Sequence, residues 1–313
     1  MGVGGHEAAK GGRLGETICS HAPFHPCQVH AANATLQRND LPARALPSPM
    51  IDLPNLGFGT YKLTGDACVA AVADALQIGY RHLDTAAMYG NEAAVGEGLR
   101  ASGVAREAVF LTTKVWRDAL ASDDFRASTE ASLARLGVAA VDLLLVHWPS
   151  DDMDLAATMG ALRRAHDEGL ARHVGVSNFP PSLFERACDL ATIACHQVEY
   201  HVFLNQDDLL ERARERGAWL TAYRPVNKGA VDDEPVLRAI AAAHGATPAQ
   251  VALAWLLGQD GVAAIPKAAS AENRRANLAA QAIRLTQDER AAIHALTHQN
   301  RRGVDPGWVD WER

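Results

Sequence analysis

The sequence has no basic run. Acidic and basic side chains are interspersed along its 313 residues and sum to a formal net charge of −7. That balance argues against nucleic acid or an anionic membrane surface as a partner. It also has no apolar run long enough to span a bilayer, and residues 1–30 carry no signal-peptide core. A cytoplasmic protein is the expectation. Cysteine is scarce: the five are scattered, none form C-x-x-C, and none share zinc-ligand spacing with histidines. Free thiols in a reducing compartment and no metal centre are expected. Three signature loops are missing as well. No G-x-x-x-x-G-K-[ST] loop occurs. Gly57-Phe58-Gly59 is followed by Lys62 where a G-x-G-x-x-G fingerprint needs its third glycine. Gly175-Val176-Ser177 is followed by Phe179 where a nucleophile elbow needs glycine. An open dinucleotide-binding sheet and a serine hydrolase both lose their main support.

What is present is a rhythm. Residues 1–48 are rich in Gly, Ala, His and Pro without periodicity and are expected to form a flexible N-terminal extension. From residue 49 to 313 strand-like and helix-like patterns alternate. Strand-like runs fall at 56–63, 80–84, 108–116, 141–149, 171–179, 195–201, 218–225 and 261–268. "VDLLLVHWP" (141–149) is continuously apolar, as in a strand buried on both faces. The intervening segments have helical spacing and recognisable ends. Gly79 and Gly137 sit at helix C-caps, Thr247-Pro248 reads as an N-cap and first-turn pair, and Thr286 to Glu289 is a capping box. Eight β–α units in about 250 residues predict an α/β fold of the (β/α)8 TIM-barrel class.

In such a barrel chemistry collects at the C-terminal ends of the strands. Those ends carry Asp84, Lys114, His147, Ser177-Asn178, Gln197, Tyr223 and Lys267, and Tyr89 follows Asp84 closely. Singly, each has an ordinary reading as a cap, a loop residue or a packed side chain. Together they suit proton transfer from a phenol. A free tyrosine has a pKa near 10. A nearby lysine ammonium in an apolar pocket would lower it, and a paired aspartate would hold that ammonium. A histidine could orient a carbonyl oxygen. This group still lacks a source of hydride.

At this point the sequence resembles the aldo-keto reductases. The likeness runs from about residue 50 to the C-terminus. It rests on "GFGTYKL", "GYRHLDTAAMYGNEAAVGEGL", "TTKVW", "DLLLVHWP", "GVSNF", "HQVEYH", "AYRP" and "IPKAAS", in that order. Within the family the pattern is most like the bacterial 2,5-diketo-gluconate reductase and methylglyoxal reductase branch. The resemblance implies a TIM barrel whose bottom is closed by an N-terminal β-hairpin, here about 49–58 with its turn at Pro54-Asn55. It implies a catalytic tetrad of Asp84, Tyr89, Lys114 and His147. It also implies a nicotinamide cofactor, NADPH with possible secondary use of NADH. The cofactor would contact Gly59, Thr60, Asp84, Ser177, Asn178, Gln197, Tyr223, Arg224, Pro266, Lys267, Ala268, Asn273 and Asn277. Tyr223 would stack on the nicotinamide, and Lys267 would meet the adenosine 2′-phosphate.

The sequence departs from the family pattern at three positions. Arg224 stands where serine is common, Ala268 where a hydroxyl is common, and Asn273 where arginine is common, with Arg274 and Arg275 next to it. Tyr61, Trp116, His147 and Trp148 are expected to line a substrate pocket for a small or sugar-derived carbonyl. The short tail "RRGVDPGWVDWER" would shape its rim. A monomer is expected. The alternative function is a non-catalytic nicotinamide-binding subunit of the same fold.

Overall fold

The structure, a computed structural model, describes Met1 and residues 51–311. Nearly all of the expected extension over 1–48 lies outside the described residues. Strands and helices alternate as β1 (Phe58–Gly59), α1 (Gly65–Ile78), β2 (His82–Asp84), α2 (Glu92–Ala101), β3 (Phe110–Val115), α3 (Ser122–Leu136) and β4 (Val141–Val146). The order continues with α4 (Leu155–Asp167), β5 (Ala171–Ser177), α5 (Pro181–Leu190), β6 (Cys195–Glu199), α6 (Asp207–Glu215) and β7 (Trp219–Tyr223). It ends with α7 (Pro235–His244), α8 (Pro248–Leu257), β8 (Val262–Ala264), α9 (Ala271–Ala279) and α10 (Gln287–Ala295). All neighbouring strand pairs are parallel and follow chain order, β1 to β8. The ring closes where β1 meets β8: Gly57 N–H donates to Ala264 O at 2.9 Å and Gly59 N–H to Pro266 O at 3.1 Å. A Cβ on Gly59 would sit 2.7 Å from Ile265 O, so this seam needs a glycine.

The continuous apolar run of β4 divides between two environments, as a strand covered on both faces must. Leu143 and Leu145 pack inside the barrel with Cys195, while Leu144 and Val146 pack outward among the helices. The strands are shorter than the sequence suggests, β1 most of all. The expected hairpin shows no antiparallel pairing in its described part, 51–58; its one bridge, Leu56 to Ala264, is parallel. The segment covers that end of the barrel by packing instead. Ile51 and Leu53 bury against Ala194 and Ala263, with Phe110 and Trp219 beside them. Helix α9, which the sequence reading did not anticipate, starts at a Ser270 cap whose side chain accepts from Asn273 N–H.

Helices α2 and α3 approach so closely that Gly96 becomes a space-limited position. Alanine in a helix is ordinarily more stable than glycine by about 0.5–1 kcal/mol. Here the added Cβ would lie 2.2 Å from Leu136 O at the end of α3. Steric overlap with backbone outweighs propensity. Gly96→Ala is expected to lower unfolding free energy by about 1–3 kcal/mol. A urea melt measures this; an unchanged or raised midpoint contradicts the close approach.

Candidate active site

Alternation along each strand decides which side chains enter the barrel. On β2 the inward positions are His82 and Asp84, and on β3 they are Thr112 and Lys114. Register sets the level: Asp84 pairs with Gly59 and Thr112, Lys114 with Leu145, and Ser177 with Gln197. Asp84, Lys114, Ser177 and Gln197 therefore share the C-terminal mouth. His147 joins them from just beyond β4, its N–H donating to Val115 O.

Lys114 is fully buried. Its ammonium has three protons and finds three acceptors: Asp84 Oδ1 at 2.6 Å, Thr85 O at 2.8 Å and Tyr89 Oη at 3.4 Å. The second Asp84 oxygen accepts from Gln197 Nε2 at 2.8 Å. Tyr89 lies in a short 3-10 turn, Ala87–Tyr89, which the left-handed Gly90 ends. It lies between Tyr61, tilted with ring centroids 5.0 Å apart, and His147, edge-on at 5.6 Å. Trp116 stands edge-on to His147 at 5.0 Å.

The electrostatics differ from the sequence expectation. Lys114 was expected to lower the Tyr89 pKa; burial, followed by the Asp84 charge, instead holds the phenol well above 10. Lys114 lies closer to Asp84 Oδ1, at 2.6 Å, than to Tyr89 Oη, at 3.4 Å. Burial also lowers the Lys114 pKa, against the opposing pull of Asp84. Burial and then the Lys114 charge keep His147 well below the usual imidazole range, so it is neutral near pH 7. The phenol is thus a protonated acid. Its lone pair faces Lys114, so its own proton is left to point elsewhere. His147 Nδ1 is buried without a hydrogen-bond partner.

The strand ends can hold a nicotinamide. Asn178 has a left-handed backbone (φ 61°) that turns the chain at the end of β5. Its Nδ2 donates to His147 O at 3.0 Å and Ser177 Oγ at 2.9 Å, while Tyr223 Oη donates to its Oδ1 at 2.8 Å. Ser177, Asn178 and Gln197 form a buried row of amide and hydroxyl groups beside the Tyr223 ring. This donor and acceptor set suits a carboxamide against an aromatic face. Thr60 is turned inward, its hydroxyl donating to Asp84 O. Of the residues expected to meet the adenosine, Pro266, Ala268 and Asn277 are buried, while Lys267 and Asn273 are exposed. Of the two neighbouring arginines, Arg274 is engaged elsewhere: it pairs with Asp74 and donates to Ala269 O at 2.8 Å. Arg275 remains more open. Arg224 turns to Glu199, 3.3 Å away, and donates to Asn227 Oδ1.

The sequence reading missed Asn91. Its Nδ2 donates to both Thr60 O and Leu63 O at 2.9 Å, and its Oδ1 accepts from Thr85 Oγ1. It pegs the Tyr61 loop to the Tyr89 loop. An asparagine placed before a helix start was the available signal, but it reads first as a cap. Glu199 was missed too. It ends β6 as a fully buried carboxylate, a position that polar inward alternation marks once the strand is known.

Removing one member of the buried pair strands the other charge. Asp84→Ala is expected to cost about 3–5 kcal/mol of stability, while Asp84→Ala with Lys114→Met costs less than the single change. Denaturant melts of both variants check this; a double variant weaker than Asp84→Ala contradicts the pairing.

The comparisons with known proteins agree with this geometry. The Aldo/keto reductase family model matches residues 55–298. Methylglyoxal reductase DkgB of Escherichia coli O157:H7 is 39% identical over 265 residues, covering 82% of this chain and 99% of that protein. An oxidoreductase of Bacillus subtilis strain 168, YtbE, is 37% identical, covering 87% of this chain and 99% of its own length. A crystal structure provisionally assigned as a 2,5-diketo-D-gluconic acid reductase B superposes with a TM-score of 0.80 at 43% identity, covering 82% of this chain and 92% of that one. The chain belongs to the aldo/keto reductase family and is an oxidoreductase acting on carbonyl groups.

Proposed function

We propose that the protein is an NADPH-dependent reductase of small aldehydes and ketones, with Tyr89 as the proton donor. The observation that carries this is the three-acceptor seat of Lys114, which takes a lone pair of Tyr89 and leaves its hydroxyl proton for a substrate oxygen. When bound, the nicotinamide supplies hydride to the carbonyl carbon. Tyr89 gives its proton to the carbonyl oxygen. Lys114 then faces a phenolate, and its ammonium stabilises that charge where the neutral phenol gained little from it. Neutral His147 can donate one hydrogen bond to the same oxygen and fix its direction. Trp116, Trp148 and Tyr61 limit access around it. Lys267 and Arg275 are exposed cations that would favour a 2′-phosphate; Asp74 engages Arg274 and also lies 3.6 Å from Arg275, so the expected preference over NADH is modest. One relative is named for methylglyoxal and one solved structure is provisionally named for 2,5-diketo-D-gluconic acid, and small carbonyls of this class are the substrates of the proposed reaction.

Tyr89→Phe is expected to lower kcat by about 100-fold or more, the usual scale for a lost general acid. NADPH binding, read by quenching of tryptophan fluorescence, should persist. Oxidation of NADPH and NADH with methylglyoxal, diketo-gluconate and nitrobenzaldehyde measures the rest. A variant that keeps most of its turnover removes Tyr89 from the role; a wild type that binds NADPH and reduces none of these would instead be a non-catalytic nucleotide-binding subunit.

The pH dependence follows from the directions of the shifts. His147 has a lowered pKa and is neutral throughout the neutral range. Tyr89 has a raised pKa and stays protonated beyond 10. The single-turnover rate of reduction should therefore be flat between about pH 6 and pH 9, with no step near the free histidine value of about 6.5. A limb centred near pH 6.5 contradicts the neutral imidazole.

A further inference from the structure

Glu199 lies outside the proton relay and is more heavily bonded than a structural carboxylate needs to be. It is fully buried at the end of β6. Gly303 N–H reaches both its oxygens, at 3.1 and 3.0 Å, and Val304 N–H donates to Oε2 at 2.8 Å. His201 Nδ1 accepts from Phe203 N–H, which leaves its Nε2–H for Glu199 at 3.3 Å. Arg224 Nη1 lies 3.3 Å away. Burial pushes the Glu199 carboxyl up, but the bond from His201, the Arg224 charge and the Val304 amide together bring it below its usual value.

The amides belong to the C-terminal tail, and the tail carries the aromatic rim. Trp308 and Trp311 lie 6.2 and 6.0 Å from Trp148, ring centre to ring centre. Arg117 stacks on Trp308 at 4.3 Å and Arg302 on Trp311 at 3.7 Å. Just before them, Arg301 N–H donates to Phe203 O at 2.7 Å. Arg224 sits beneath the tail: a Cβ on Gly303 would lie 2.5 Å from its Nη1. Arg224 also holds a left-handed backbone, φ 53°, which is strained for a residue with a side chain. Such a conformation persists only where surrounding contacts fix it, here Glu199 and Asn227.

We propose that Glu199 is the positioning residue that clamps the C-terminal tail over Trp148, and that it thereby sets which carbonyls fit the pocket. Arg224 is the second jaw, pressed under Gly303. The role in substrate choice rests on the reductase reading; the clamp itself does not. Acceptance of bulky aldehydes follows from where the clamp holds Trp308 and Trp311, whereas a two- or three-carbon aldehyde reacts below their reach.

Two variants test this. Glu199→Gln keeps shape but turns a donor toward donors. Gly303→Ala, at an exposed position, dislodges Arg224 without altering the buried carboxylate. Losing charge-assisted bonds of this kind raises the open population of the tail about tenfold. Limited trypsin digestion, read by mass spectrometry at Arg301 and Arg302, should speed by about that factor, since cleavage tracks the open population. Tryptophan emission should shift to the red. With nitrobenzaldehyde KM should rise about five- to tenfold with kcat within about twofold, the pattern of lost ground-state binding; with methylglyoxal both should hold. Unchanged digestion and emission in both variants overturn the clamp. An equal loss of kcat with both aldehydes overturns its role in the pocket. If the wild type reduces no carbonyl while digestion still follows Glu199, the reductase reading falls and the clamp stands.

Discussion

Burying one ammonium is the constraint around which the mouth of this barrel is built. An unpaired charge in such a place costs several kcal/mol, and the pairing must be geometrically close to offset it. Lys114 meets that demand with a carboxylate from the neighbouring strand, a backbone carbonyl from the loop beyond it and a phenol oxygen. Each partner fixes something else. Asp84 reaches across to Gln197, the Thr85 carbonyl sets the path of the loop, and Tyr89 receives its position from the same contact. The site is electrically balanced before any substrate arrives, which is why its phenol is an ordinary weak acid made weaker by burial. In the proposed reaction, Lys114 would help when negative charge appears on that oxygen.

Much of this could be read from the chain. Period-two alternation in "YRHLD" and "FLTTK" delivers Asp84 and Lys114 to one side of the sheet, and parallel order brings them together. What could not be read is instructive. The Tyr89 pKa depends first on how deeply the ring is buried and then on the nearness of the Asp84 charge, and no spacing in the sequence encodes either. Arg274 and Arg275 are adjacent and chemically identical. Only packing shows that Asp74, two hundred positions earlier in the chain, engages Arg274 while Arg275 stays more open. The hairpin over about 49–58 is what the family resemblance implies, and a resemblance does not encode whether Ile51 and Leu53 pair as strands or merely pack against Ala194 and Ala263. Helix α9 went unnoticed because its polar face dominates a segment of nine residues.

The tail illustrates a different division of labour. The barrel supplies rigid strand ends, while under the proposed clamp substrate choice falls to a segment of irregular backbone. Irregular backbone needs its amides satisfied, and Gly303 and Val304 are satisfied by a carboxylate rooted in the sheet. A loop anchored by one buried group can change its far end freely. Arg117 and Arg302, stacked on the two tryptophans, add contact area without adding a second fixed anchor.

Asn91 has a consequence for motion. Because its amide bonds Thr60, Leu63 and Thr85 at once, the loops that carry Tyr61 and Tyr89 share a hinge pin. Neither can swing out without breaking buried bonds to the other. The two loops therefore behave as one body, with a single opening coordinate, and a fluctuation that moves Tyr61 outward carries Tyr89 with it.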